Sequence, residues 1–189
     1  MDAITHIFAA FGLSGSAGLN AYLPLLVVSL TARFTNLIEL GEPWNTLEHP
    51  IVIGVLAILL VIETFADKVP AINHINDVIQ TFVRPTAGAI LFAASTSVVT
   101  KMDPILALVL GLLAAGAVHG AKSVVLRPTI TAVSGGTANP IVSIAEDVVA
   151  LAISVIAVVL PVLISAIIIL LTALILWWLW RRRARAAKT

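Results

Sequence analysis

Ten side chains with chemical potential lie in or beside long apolar stretches of this chain: Asn20, Glu63, Asp67, Lys68, Arg84, His119, Lys122, Asn139, Glu146 and Asp147. Ionisable groups at membrane depth are costly, so they pair with one another or line a polar path for an ion or a small solute. Glu63 and Asp67 are four residues apart, on one face of any helix that carries them, with Lys68 alongside. A carboxylate pair in low dielectric can hold a cation or share a proton, because neighbouring like charges disfavour double ionisation. The plainer alternative submerges only Glu63 and leaves Asp67 and Lys68 at the interface.

Glu146 and Asp147 are adjacent and therefore about 100° apart on a helix. They are expected to face different walls, with one meeting Lys68, Arg84 or Lys122. Such a pair either orients helices as a lock or belongs to a path, and stability alone is a weak reason for a buried ion pair. His119 and Lys122 share a face at spacing three, and an imidazole that titrates near neutrality suits a proton-coupled step. The glycines of Gly116-Ala-Val-His-Gly120 favour a close helix contact instead, with the histidine hydrogen-bonded across it. The four histidines, at 6, 49, 74 and 119, have no metal-ligand spacing, and no cofactor motif is present.

Gly12-Leu-Ser-Gly15-Ser-Ala-Gly18-Leu-Asn20 is the most glycine-dense stretch. Its small residues either admit a neighbouring helix or mark a break that exposes backbone groups as ligands, with Asn20 and Asn139 as matching polar contacts in the two halves. It is no phosphate loop, since no Lys-Ser or Lys-Thr pair closes it and no strand precedes it.

These groups need elements to hold them, and the composition defines the elements. A mean hydropathy of +1.09, with 60% hydrophobic and 11% charged residues, lies outside the soluble range. At roughly 20 residues per crossing, 189 residues accommodate about six transmembrane helices. The expected fold is an all-α polytopic membrane protein, one transmembrane helical domain over 1–180 and a basic cytoplasmic tail at 181–189. The absence of cysteine excludes disulfides, thiolate metal sites and thiol nucleophiles. The start, Met1-Asp2-Ala3-Ile4-Thr5-His6, lacks the basic region of a cleaved signal peptide.

Prolines punctuate the apolar runs at His49-Pro50, Arg84-Pro85, Asp103-Pro104, Asn139-Pro140 and Pro161. Proline at a first helical position loses no hydrogen bond, so helices are expected at about 7–33, 50–66, 85–100, 104–121, 140–159 and 161–180. Trp177-Trp178-Leu179-Trp180 followed by Arg181-Arg182-Arg183 reads as an interface belt and a cytoplasmic flank. Six crossings then place both termini in the cytoplasm, Lys68, Arg84, Lys122 and Arg127 on that side, and the acidic segment 34–49 outside.

Between Pro70 and Arg84, Ile72, Ile75, Ile79, Phe82 and Val83 recur at helical spacing among Asn73, His74, Asn76, Asp77 and Gln80. This is an amphipathic cytoplasmic-side connector, lying in the interface or folding into the bundle. A weak internal repeat links the halves: Lys68 lies eighteen residues after Pro50, as Lys122 does after Pro104. Parallel and inverted repeats both fit that spacing.

The string Glu63-Thr-Phe-Ala-Asp67-Lys68-Val-Pro70, then Asn76-Asp77 and Phe82-Val83-Arg84-Pro85-Thr-Ala-Gly88, resembles the membrane family labelled domain of unknown function 4126. Ser16-Ala-Gly18-Leu-Asn20-Ala-Tyr22, His119-Gly-Ala-Lys122, and Asn139 with Ser143-Ile-Ala-Glu146-Asp147 resemble it too. The resemblance spans roughly 12 to 160 and implies a multi-pass protein of a bacterial inner membrane with no assigned activity. The second connector departs from the family pattern, so the resemblance assigns no role to Arg127 or Ser134.

Two function classes follow: a small-solute or ion transporter or channel, and a non-transporting scaffold whose charges lock the bundle or dock a partner. An enzyme on lipid head groups stands behind them without a catalytic signature. The lipid bilayer is the expected partner, glycine-rich faces suit a homo-oligomer, and nucleic acid has no case beyond the basic tail.

Overall fold

A computed structural model describes residues 3–66, 70–97 and 102–186. Among them every regular element is helical: α1 (Ala3–Leu19), α2 (Tyr22–Phe34), a 3-10 turn (Trp44–Glu48), α3 (Pro50–Ala66), α4 (Pro70–Thr96) and α5 (Pro104–Gly120). A π-helical segment (Ala121–Leu126) carries α5 into α6 (Arg127–Ser134), and α7 (Asn139–Ala186) follows. Val78–Thr96, Pro104–Ser134 and Asn139–Leu160 are long and apolar enough to cross a membrane, and the shorter helices Ile4–Leu19, Tyr22–Phe34 and Pro50–Ala66 are also apolar.

The prolines behave less uniformly than their spacing suggests. Pro50 and Pro104 open helices, and Asp103 caps α5 by accepting from the amides of Ile105 (2.9 Å) and Leu106 (3.1 Å). Pro85, expected at a helix start, lies inside α4, so the amphipathic connector and the following apolar run form one helix. Pro161 likewise starts no new helix, and α7 runs through it, where two helices were expected. Pro128 follows the π-helical segment. It has no N–H to offer the carbonyl of Val124, and a wider turn accommodates that loss. Gly135, at φ 60°, terminates α6 in the left-handed conformation.

The expected single helix over 7–33 is two helices, parted at Asn20 and Ala21. Pro24 supplies the reason. In a continuous helix its ring would clash with the carbonyl of Asn20 four residues earlier, and it has no N–H for that carbonyl.

The bundle is built around close contact of α1, α4 and α5. A Cβ on Gly88 would collide with Ala115 and reach 2.8 Å from the Gly111 carbonyl, and one on Gly18 would lie 2.5 Å from the Ala115 carbonyl. The tight contact expected at Gly116 and Gly120 therefore occurs instead around Gly111 and Ala115, since a Cβ on Gly120 would meet nothing within 4 Å. Ser14 Oγ donates to the Gly88 carbonyl at 2.8 Å across the seam, and Ser16 meets Ser154 of α7 at 2.9 Å. Phe11 packs edge-on against Phe92 at 4.9 Å between centroids.

The polarity of α4 runs opposite to that of a helix on a water-soluble protein. Asn76, Gln80, Arg84, Gly88, Phe92 and Thr96, spaced by four, are all buried, whereas Val78, Ile79 and Phe82 are exposed. Large exposed apolar side chains likewise cover α3, α5 and the first half of α7. Such a surface suits hydrocarbon, where polar groups gain by turning inward.

Candidate functional site

The break between α1 and α2 lies at the centre of the polar interior. In an unbroken helix the amides of Tyr22 and Leu23 would bond to the carbonyls of Gly18 and Leu19. Instead both donate to Asn20 Oδ1, at 3.2 and 2.9 Å, so Asn20 caps α2 with its own side chain. Its amide donates to Asp147 Oδ1 at 2.9 Å, tying the break to α7. The Leu19 carbonyl, released from Leu23, accepts a hydrogen bond from Lys122 Nζ at 3.0 Å.

Lys122 reaches this carbonyl from the π-helical segment. Its ammonium also forms an ion pair with Glu146 Oε2 at 2.7 Å, and both side chains are nearly inaccessible, 2% and 7% exposed. Arg127 Nη2 approaches the same oxygen at 3.5 Å. The buried Oε1 of Glu146 has no hydrogen-bond partner among the described residues. Glu146 and Asp147 do face different walls, as their 100° separation requires, and each has a polar partner.

A second pair lies alongside. Arg84, wholly buried in α4, donates from Nη2 and Nε to Glu63 Oε1 of α3 at 2.9 and 3.3 Å. Arg84 Nη1 lies 3.3 Å from His119 Nδ1, and His119 Nε2 lies 3.2 Å from Thr81 Oγ1. A guanidinium can only donate, so Nδ1 accepts, the ring proton sits on Nε2, and the imidazole is neutral in this arrangement. Thr81 is the residue whose carbonyl Pro85 deprives of its helical partner. His119, which meets Arg84, and Lys122, which meets Glu146, are three residues apart on the continuous run from α5 into the π-helical segment. The two pairs therefore form one polar cluster.

Seven of the ten residues singled out above meet here: Asn20, Glu63, Arg84, His119, Lys122, Glu146 and Asp147. Asp67 and Lys68 lie outside the described residues. Asn139 stands apart, donating to Thr131 Oγ1 at 3.1 Å and fastening the end of α6 to the start of α7, so it does not mirror Asn20.

The chain's polar pattern under-reports two residues beyond the ten. Arg127 joins through Glu146, reached only because the segment after His119 stays helical instead of looping away. Gln80 is buried on the Arg84 face, with an Oε1 that has no partner among the described residues. The four-residue spacing 76, 80, 84 is the signal that could have found it. Among the described residues no cluster of three or more His, Cys, Asp and Glu could hold a metal ion.

Chemically, the cluster holds buried cationic and anionic groups in mutual contact around an opened helix. Over residues 7–182 the chain matches the family described as a domain of unknown function (DUF4126), and it belongs to that family. Neither a curated protein nor a solved structure matches it.

Proposed function

We propose that this protein is a small-solute or ion transporter or channel of a bacterial inner membrane, with the polar cluster as its substrate-contacting site. The observation that carries the reading is the opened helix: the α1–α2 break places a carbonyl end released from its helix, a capped amide end and charged groups of four other helical segments together. A bundle held only by packing needs no such break. Discontinuous helices whose ends meet ions or charged solutes are a recurring device of membrane transporters. The exposed apolar faces support the membrane setting. The basic flank after Trp180 supports a cytoplasmic C-terminus, and an even number of crossings would place the N-terminus there too.

The same distances support a second reading. Pairs at 2.7 and 2.9 Å with side chains almost fully buried are also what a locked, non-transporting scaffold would contain. Flux measurement separates the two. Protein reconstituted in liposomes is expected to carry cations, anions or protons above the level of empty liposomes, and Glu63→Gln is expected to abolish that flux. Absence of flux over the whole panel favours the scaffold.

A further inference from the structure

The contact between Lys122 and the end of α1 has the form of an occupied ion site. Leu19 presents a carbonyl at the C-terminal, electronegative end of a half-helix, released because Leu23 turns to Asn20. Glu146 presents a carboxylate to the same point, and one ammonium contacts both groups, as a hydrogen bond at 3.0 Å to the carbonyl and as an ion pair at 2.7 Å to the carboxylate. In broken-helix membrane proteins such carbonyl ends and acidic groups coordinate free cations. Here a covalently tethered cation does so. Glu146 is deeply buried, and its second oxygen has no hydrogen-bond partner among the described residues, so the donor set is larger than the lysine uses.

We infer that the end of α1 is a seat for an ammonium-sized monovalent cation, built from the Leu19 carbonyl and the Glu146 carboxylate and filled in this chain by Lys122 itself. The size follows from the spacing. Distances of 2.7–3.0 Å are those of an ammonium's hydrogen bonds to oxygen. They exceed the roughly 2.0–2.6 Å that magnesium and calcium take from oxygen ligands. The charge follows from the surroundings. Arg127 of α6 already lies 3.5 Å from the same carboxylate oxygen, so a divalent ion would meet more repulsion here than a monovalent one. The inference concerns occupancy of the seat and holds whether or not the protein transports anything.

The test uses the full chain in detergent or nanodiscs. Lys122→Met keeps the side chain from Cβ to the Cε position and removes only the ammonium, leaving the seat vacant with its stem in place. Thermal unfolding is followed in ammonium, sodium or choline chloride at constant ionic strength. Ammonium should raise the Tm of Lys122→Met saturably, by about 3–5 °C at roughly ten times its dissociation constant. Wild type, whose seat is filled, should respond no more to ammonium than to choline. Adding Glu146→Gln to Lys122→Met should remove the ammonium response. Lys122→Ala gives an independent reading with the stem also deleted. If neither variant folds in choline, recovery of folded protein in ammonium becomes the readout. Equal effects of ammonium and choline on both variants, or an ammonium response that survives Glu146→Gln, would overturn the inference.

Discussion

Lys122 Nζ lies 3.0 Å from the carbonyl oxygen of Leu19, so a side chain 103 residues further along the chain closes the end of the first helix. The contact depends on two local events that neither residue causes. Pro24 forbids an unbroken helix through Asn20, and the Asn20 side chain takes the Leu23 amide that Leu19 would otherwise have held. A proline and an asparagine thus create the acceptor that the lysine fills.

The Glu63–Arg84 pair distinguishes a lock from a path. Glu63→Gln removes the carboxylate charge from a fully buried guanidinium and is expected to cost about 3–5 kcal/mol, while exposed Glu39→Gln should change stability by less than about 0.5 kcal/mol. The double variant Glu63→Leu, Arg84→Met should regain most of the lost stability, because an apolar pair of similar volume replaces the ions. Thermal unfolding in detergent gives the first comparison and liposome flux the second. Flux should remain absent in the stable double variant if these charges contact the solute. Flux at the wild-type level in that variant would remove them from the path.

Asn20 has two duties that substitutions can separate. Asn20→Ala deletes the cap on the Tyr22 and Leu23 amides and should destabilise the protein by about 0.5–2 kcal/mol, with faster hydrogen exchange at those two amides. Asn20→Asp keeps an acceptor for both amides but sets a carboxylate against Asp147 Oδ1, now 2.9 Å from the Asn20 amide. It should retain slow exchange at residues 22 and 23 and yet lose stability, and Asp147→Asn added to it should restore that stability. Exchange at those amides unchanged in Asn20→Ala would contradict the capping role.

Glycines at different points of the bundle should respond in opposite ways. Gly88→Ala drives a methyl into Ala115 and the Gly111 carbonyl at the α4–α5 seam and should cost about 1–3 kcal/mol. Gly54→Ala in α3 meets nothing within 4 Å and should be neutral or stabilise by up to about 1 kcal/mol, the helix-propensity gain. Denaturation midpoints of the two variants in one detergent make the comparison, and equal midpoints would refute the seam.

The apolar helices compatible with a membrane, the N-termini of α3 and α5 and seven residues that the structure brings together were legible in the sequence, because they rest on local physics. Apolar runs of membrane length, prolines that open helices and charges that hydrocarbon will not tolerate can all be recognised without knowing what packs where. Even so, identical local signals led to different outcomes. Pro50 and Pro104 open helices while Pro85 and Pro161 are carried inside them, since a proline's lost bond can be absorbed once neighbouring groups and a continuing helix support the turn.

Tertiary structure alone decided the pairing. That Glu63 meets Arg84 and Lys122 meets Glu146, that Arg127 joins them while Asn139 does not, depends on how α3 and α7 are set against the α1, α4 and α5 core and on the rotation and depth at which those three come together. Those are set by glycines and serines that carry no charge: Gly18, Gly88, Gly111 and Ser14 permit backbones to touch, and their contacts fix the register of the helices. A sequence states which charges must be hidden. Only the packing of the helices against one another determines which of them hide together.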